Sequence, residues 1–217
     1  MSSSQLKILA VVTMLIDHIG AILFPTVLLF RIIGRLSFPL FCFLISEGLL
    51  YTANLKGYLE RLFFFALISE VPYDLAFHGT VYYPQSQNVF FTLFLGLAAI
   101  SFLHSYLGSR PSSALVLALV CVLFAEALHT DYGWFGVMLI IIFYCFKNYR
   151  TKGVLIFAVF NTGYGLLTGT VKLYAALAGF PIFLYNGKKG RLNWKYFFYA
   201  FYPAHLLLLY FVHKVAF

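Results

Sequence analysis

The chain has 217 residues, 62% of them hydrophobic and only 10% charged, with a mean hydropathy of +0.90. A soluble domain carries about a quarter charged residues, so the composition excludes one and predicts a single all-α membrane domain over residues 1–217. The net charge of +8 sits in short loops between apolar runs. That is the pattern of cytoplasmic loops rather than of a nucleic-acid surface, so membrane lipid is the expected partner and nucleic acid is not.

Long apolar runs separated by short polar breaks mean helices, not the alternating pattern of an outer-membrane barrel. Nine segments are expected (eight to ten, allowing for boundaries): 5–24, 29–52, 57–77, 88–106, 112–129, 132–147, 153–168, 171–185 and 193–215. They predict a polytopic transmembrane helical bundle. The first opens with Lys7 and lacks a small-residue cleavage site, which predicts an uncleaved helix rather than a signal peptide. The seventh and eighth are short for a bilayer of about 30 Å and carry Gly163, Gly165, Gly169 and Gly179, so tilted, broken or re-entrant forms are expected there. With Lys7, the loops after the even-numbered segments hold eleven of the fifteen Lys and Arg residues. The positive-inside rule then places the N-terminus in the cytoplasm and, for nine spans, the C-terminus outside. Cys42, Cys121 and Cys145 all fall in apolar runs at no metal or disulfide spacing, and buried inert thiols are expected.

Within the first segment, LKILAVVTMLIDHIG, an Asp17–His18 pair interrupts the apolar run. Ionisable groups inside a span are costly and mark function by default. Eleven steps lead from Lys7 to His18, about three helical turns, which puts both near one face and about 16 Å apart. A carboxylate beside an imidazole suits a general base. Adjacent residues point about 100° apart, however, so the partner of His18 can also lie on another helix.

Arg31 and Arg35, four apart, open the second segment from the same side. They fit either an anion or oxyanion clamp or a structural salt bridge to Asp17, Glu70 or Asp74. Glu70 and Asp74 repeat that spacing in the third segment, Asn88 and Thr92 in the fourth, and Asp131 follows the fifth. Five helices thus deliver polar groups to one outer layer, where they are expected to meet each other or a watered cavity. His205, in FYPAHLLLLY, stands alone on the last apolar helix, as either a core residue or a site residue. No HExxH-like spacing is present, so no metal is expected.

Taken together, LKILAVVTMLIDHIG, RIIGRLSFPLFCFLISEGLLYT, RLFFFALISEVPYDLAF, NVFFTLFLGL, DYGWFGV, LYNGKKG and YFFYAFYPAHLLLLY resemble the TraX family, known for N-terminal acetylation of conjugative pilin. That family is itself similar to the membrane acyltransferases that acetylate envelope sugars. There a basic residue near the start of the first helix precedes an essential His by about three turns. The resemblance implies that Lys7 matches the basic position, His18 the catalytic histidine, and Gly34 to Gly48 the second motif. This chain has Lys where Arg is usual, and an Asp directly before the His.

The expected function is an acyltransferase of the bacterial cytoplasmic (inner) membrane. It would take acetyl-CoA from the cytoplasm and acetylate a pilin, peptide or glycan amine or hydroxyl. Lys7, Lys188, Lys189 and Arg191 are expected to hold the donor phosphates. His18 acts as base with Asp17 behind it, or carries the acyl group as an intermediate, and Arg35 stabilises the developing oxyanion. Arg31, Glu70, Asp74, Asn88, Asp131 and His205 are expected to face the acceptor. The alternatives are a transporter or channel for a small polar solute or proton, and an assembly protein without chemistry.

Overall fold

The computed structural model describes residues 1–190 and 195–216, and within them every regular element is a helix. Arg191, assigned above to the donor phosphates, lies outside the described residues. Helix α1 (Ser3–Ile22) starts at a reciprocal cap: Ser2 accepts from the Gln5 N–H while the Gln5 side chain accepts from the Ser2 N–H. The second predicted segment is cut into α2 (Leu28–Gly34) and α3 (Ser37–Tyr51). Pro39, in the first turn of α3, offers no N–H to the Arg35 carbonyl and its ring crowds that oxygen, so a continuous helix is disfavoured there.

Helix α4 (Leu55–His78) is capped by Asn54, which accepts from Gly57 N at 2.7 Å, and is stopped by Gly79 at φ +69°. There follow α5 (Val89–Tyr106), α6 (Pro111–Ala127), α7 (Gly133–Cys145) and α8 (Arg150–Thr168). Of the two short segments, the seventh forms the unbroken α8. The eighth is irregular, a 3-10 stretch (Thr170–Ala178) followed by the five-residue α9 (Gly179–Phe183). Helix α10 (Lys195–Ala216) ends the described chain.

Helix α1 packs on α2, α3 and α10, while α3 also meets α5 and α7, and α4 meets α5 and α10. Small residues let these helices approach: Ala10, Ala66, Ala99, Ala114 and Ala125 are fully buried, and a Cβ on Gly96 would fall 2.1 Å from Ile140. The outward faces are apolar as well, with Leu115, Leu119 and Leu123 on α6, and Leu155 and Val159 on α8, exposed. Among the described residues, three helical stretches, Ser3–Ile22, Leu28–Tyr51 and Val89–Tyr106, are long and apolar enough to cross a membrane, and Pro111–Ala127, Gly133–Cys145 and Val171–Phe183 are shorter apolar helices. Cys42 and Cys121 are buried, whereas Cys145 departs from expectation: it is the last residue of α7 and is exposed.

Candidate active site

The polar heart of the bundle forms where α1 meets the α2–α3 break. Asp17 is 8% exposed, and its carboxylate is held by two guanidiniums. Arg35 Nη2 donates to Oδ1 at 3.1 Å and to Oδ2 at 3.0 Å, and Arg31 Nη1 reaches Oδ2 at 3.1 Å and the Asp17 carbonyl at 3.2 Å. This close approach requires glycine at 34, because a Cβ there would lie 2.1 Å from Asp17 Cβ. Of the partners the sequence left open to the arginines, Asp17 is the one they meet. Arg35 nevertheless keeps its buried Nε–H without a partner among the described residues.

With Asp17 held there, its neighbour His18 turns to α10. His18 Nδ1 lies 2.6 Å from His205 Nε2, and His205 Nδ1 lies 2.7 Å from the Phe201 carbonyl. The two rings are parallel to within 3°, with centroids 4.9 Å apart. That separation is the nitrogen–nitrogen distance plus one ring radius on each side, so the rings are coplanar and meet edge to edge rather than stacking face to face. Phe77 and Tyr202 stand edge-on to the His18 ring at 5.4 and 5.9 Å.

A cavity of about 810 Å³ connects this layer to the opposite end of the bundle. His18, Asp17, Arg31, Arg35 and Asp131 line one end of it, and Lys7, Arg61 and Lys189 line the other. Lys189 is brought there by the loop after α9, whose carbonyls serve the open N–H groups of α1. Ser3 N donates to Lys188 O at 2.8 Å and Ser4 N to Lys189 O at 3.1 Å. Lys188 joins through its backbone and is not among the lining residues. Arg61, read from sequence only as a loop cation, contributes a buried Nε without a partner among the described residues. Glu47 also lines this end and hydrogen-bonds Tyr185.

The remaining sequence candidates divide. Glu70 Oε1 accepts from Asn88 N at 2.9 Å and from Asn88 Nδ2, which also donates to the Ala66 carbonyl at 2.8 Å. Asp74, 1% exposed, accepts from Tyr83 N at 2.7 Å. These three side chains brace the connection between α4 and α5, and none is among the residues lining the cavity. His205 lies behind His18, 5% exposed and also outside the lining.

Asp131, by contrast, reaches the cavity on a loop with two non-glycine residues at positive φ, His129 at 51° and Tyr132 at 66°. Such conformations cost of order 1–3 kcal/mol each and persist only where the surroundings impose them. Here Gln87 N donates to His129 O at 3.0 Å, Asp131 N to Gln87 O at 2.8 Å, and Thr92 donates to the Asp131 carbonyl. Tyr132 stacks on Phe38 at 3.6 Å, and both line the cavity, a contribution the sequence reading missed. Burial pushes the Asp131 carboxyl up to about 6, with Arg35 pulling the other way.

The same stretches that build this cavity match known proteins. The family model described as "TraX protein" matches residues 2–213. "Probable fimbrial assembly protein FimC, serogroup H1" of Dichelobacter nodosus is 32% identical over 234 residues, covering 96% of this chain and 94% of its own. "Uncharacterized protein RP591" of Rickettsia prowazekii (strain Madrid E) is 58% identical over 38 residues, 18% of this chain and 15% of its own. No solved structure matches. Because the match runs from the capping Ser2 of α1 into the last turn of α10, and so takes in both walls of the cavity, the chain belongs to the TraX protein family.

Proposed function

We propose that this chain is a multi-pass membrane acyltransferase that moves an acyl group, acetyl first among the candidates, from a coenzyme A thioester to an amine or hydroxyl. The supporting observation is one cavity with cations at one end and an imidazole beside a guanidinium at the other. The loop charges orient the Lys7 end toward the cytoplasm of a bacterial inner membrane, where acyl-CoA is available. Lys7, Arg61 and Lys189 would hold the phosphates. The thioester arm would lie along α1, whose rise from Lys7 to His18 is about 16 Å. The cavity volume is within the range of pockets that enclose small molecules, about 300–1,000 Å³.

At the other end, His18 takes the acceptor proton as the acceptor attacks the thioester carbonyl. Arg35, whose Nε–H has no partner among the described residues, stabilises the negative oxygen that develops. The carbon–sulfur bond breaks as the new carbon–nitrogen or carbon–oxygen bond forms, and the departing thiolate takes the proton back from His18. Asp131 would face an amine acceptor from the outer rim. A pilus subunit is a fitting acceptor, since the Dichelobacter nodosus relative is named for fimbrial assembly. That same name suits a second reading, an assembly role without chemistry.

Purified protein in detergent, given acetyl-CoA and a panel of peptide, amine and sugar acceptors, separates these readings by the release of free thiol. Acceptor-dependent release that is lost in His18→Ala supports the enzyme. Equal background release from wild type and variant across the panel sinks it and leaves the assembly role. A solute flux into liposomes that depends on Asp17 would instead favour a transporter.

A further inference from the structure

We propose that His205 is a positioning residue that fixes His18 in its Nδ1–H form and so directs the Nε2 lone pair to the base role. The chemistry rests on the acyl-transfer reading above; the geometry does not. A carbonyl oxygen only accepts, so the 2.7 Å contact to the Phe201 carbonyl puts the proton on His205 Nδ1. In a neutral ring the other nitrogen, Nε2, is then an acceptor. The 2.6 Å contact to His18 Nδ1 must be donated by His18, which leaves His18 Nε2 without a proton. The reverse direction needs a doubly protonated His205, a further buried cation in a layer where Asp17 is already engaged by both Arg31 and Arg35.

Three features make the assignment rigid. The rings are coplanar within 3°, which aligns the N–H with its acceptor. The Phe201 ring stacks on His205 at 4.7 Å and 17°, and Tyr202 stands edge-on to both imidazoles. His205 does not line the cavity, so substrate reaches His18 and not its partner. During transfer the acceptor proton moves to His18 Nε2 and then to the leaving sulfur. The Nδ1–H stays throughout on His205, where the bond strengthens while His18 is positive. Asp17, the sequence neighbour expected to support the imidazole, instead has its carboxylate on the two arginines.

The test uses the full chain in detergent micelles with histidine ring nitrogens labelled with 15N. In wild type, the His18 resonance, located by its loss in His18→Asn, should show a protonated Nδ1 and an unprotonated Nε2. His205→Leu should give a mixture of His18 tautomers and lower kcat by about 10²- to 10⁴-fold with an unchanged KM for acetyl-CoA. His205→Gln, whose side-chain oxygen replaces the accepting nitrogen, should recover most of that loss. A wild-type His18 protonated on Nε2, or a folded His205→Leu protein that turns over like wild type, would overturn the assignment. The nitrogen spectrum needs no turnover. A protein that shows this tautomer but transfers nothing therefore refutes the enzyme reading and leaves the histidine pair standing.

Discussion

Gly34→Ala adds one methyl group, and the structure says where it goes. The new carbon would lie 2.1 Å from Asp17 Cβ, 2.2 Å from Oδ1 and 2.4 Å from Cγ. Ordinary contacts between such atoms begin above 3 Å, so α1 and α2 must separate or the Asp17 side chain must leave. Overpacking of this kind costs about 1–3 kcal/mol. Displacing the carboxylate also strips Arg35, whose side chain is 12% exposed, of its counter-ion, and breaking a buried pair costs about 3–5 kcal/mol. Against this stands the better helix propensity of Ala, at most about 1 kcal/mol and less at the end of α2. The clash wins. If the loss is about 3 kcal/mol, a chain of this size should melt about 6–12 °C lower, and thiol release should fall with it. Gly163→Ala is the internal comparison, since nothing lies within 4 Å of a Cβ at that position in α8. There the same substitution should be neutral or slightly stabilising. Thermal melting in one detergent, read by circular dichroism, decides the matter. If Gly34→Ala melts and works like wild type, as Gly163→Ala should, the close approach of Asp17 is not what holds the arginines.

Two further outcomes are expected. Arg61→Ala and Lys189→Ala should each raise KM for acetyl-CoA about tenfold, as the loss of one charge-assisted contact does, while kcat and the KM of a phosphate-free acetyl thioester stay fixed; an equal effect on both donors would remove the phosphate role. Asp131 has its carboxyl raised from 3.8 to about 6 by burial, so between those values the folded state binds more protons than the unfolded one. Stability from this group is therefore greatest at low pH and falls as pH rises toward about 6. Asp131→Asn should flatten that slope in melts at pH 4 to 7, and matching slopes for the two proteins would refute it.

How much of this was legible in the sequence depended on whether one helix or several set the geometry. Lys7 and His18 share α1, so eleven steps of regular rise fix their relation without any tertiary knowledge, and both line the cavity. Helical segments were readable for the same reason, because the apolar runs are longer than any strand. What failed to show was contact between helices. The bend in the second segment was legible from Pro39, which leaves the Arg35 carbonyl without its donor, but its extent as a full cut at Arg35–Leu36 was not, since hydropathy alone joins that run up. Arg61 was hidden in a loop charge, since a cation at the end of a span is first of all an orientation signal. Glu70, Asp74 and Asn88 had spacing suited to a site, but spacing does not reveal that a long connection engages one oxygen of each carboxylate and the Asn88 amide.

The histidine pair carries that lesson to the chemistry. An aspartate directly before a histidine invites the reading of a carboxylate supporting an imidazole, yet a helix turns about 100° between them and makes that contact hard. The carboxylate and the ring must then find partners on different neighbours, and they do: Asp17 on the α2–α3 break and His18 on α10. Because both pairs involve α1, one helix fixes the guanidinium and the imidazole relative to each other. A base and an oxyanion donor must be placed within tenths of an ångström of a shared substrate. On the acyl-transfer proposal, fixing both through adjacent residues of one helix would do this with less dependence on the less regular elements around them. The prediction for Gly34→Ala and the tautomer set by His205 therefore probe two sides of one device. A loss of Asp17 from its pocket should also shift the His18 ring, visible in the same nitrogen spectrum, and a His18 signal unmoved by that substitution would show that the two are independent.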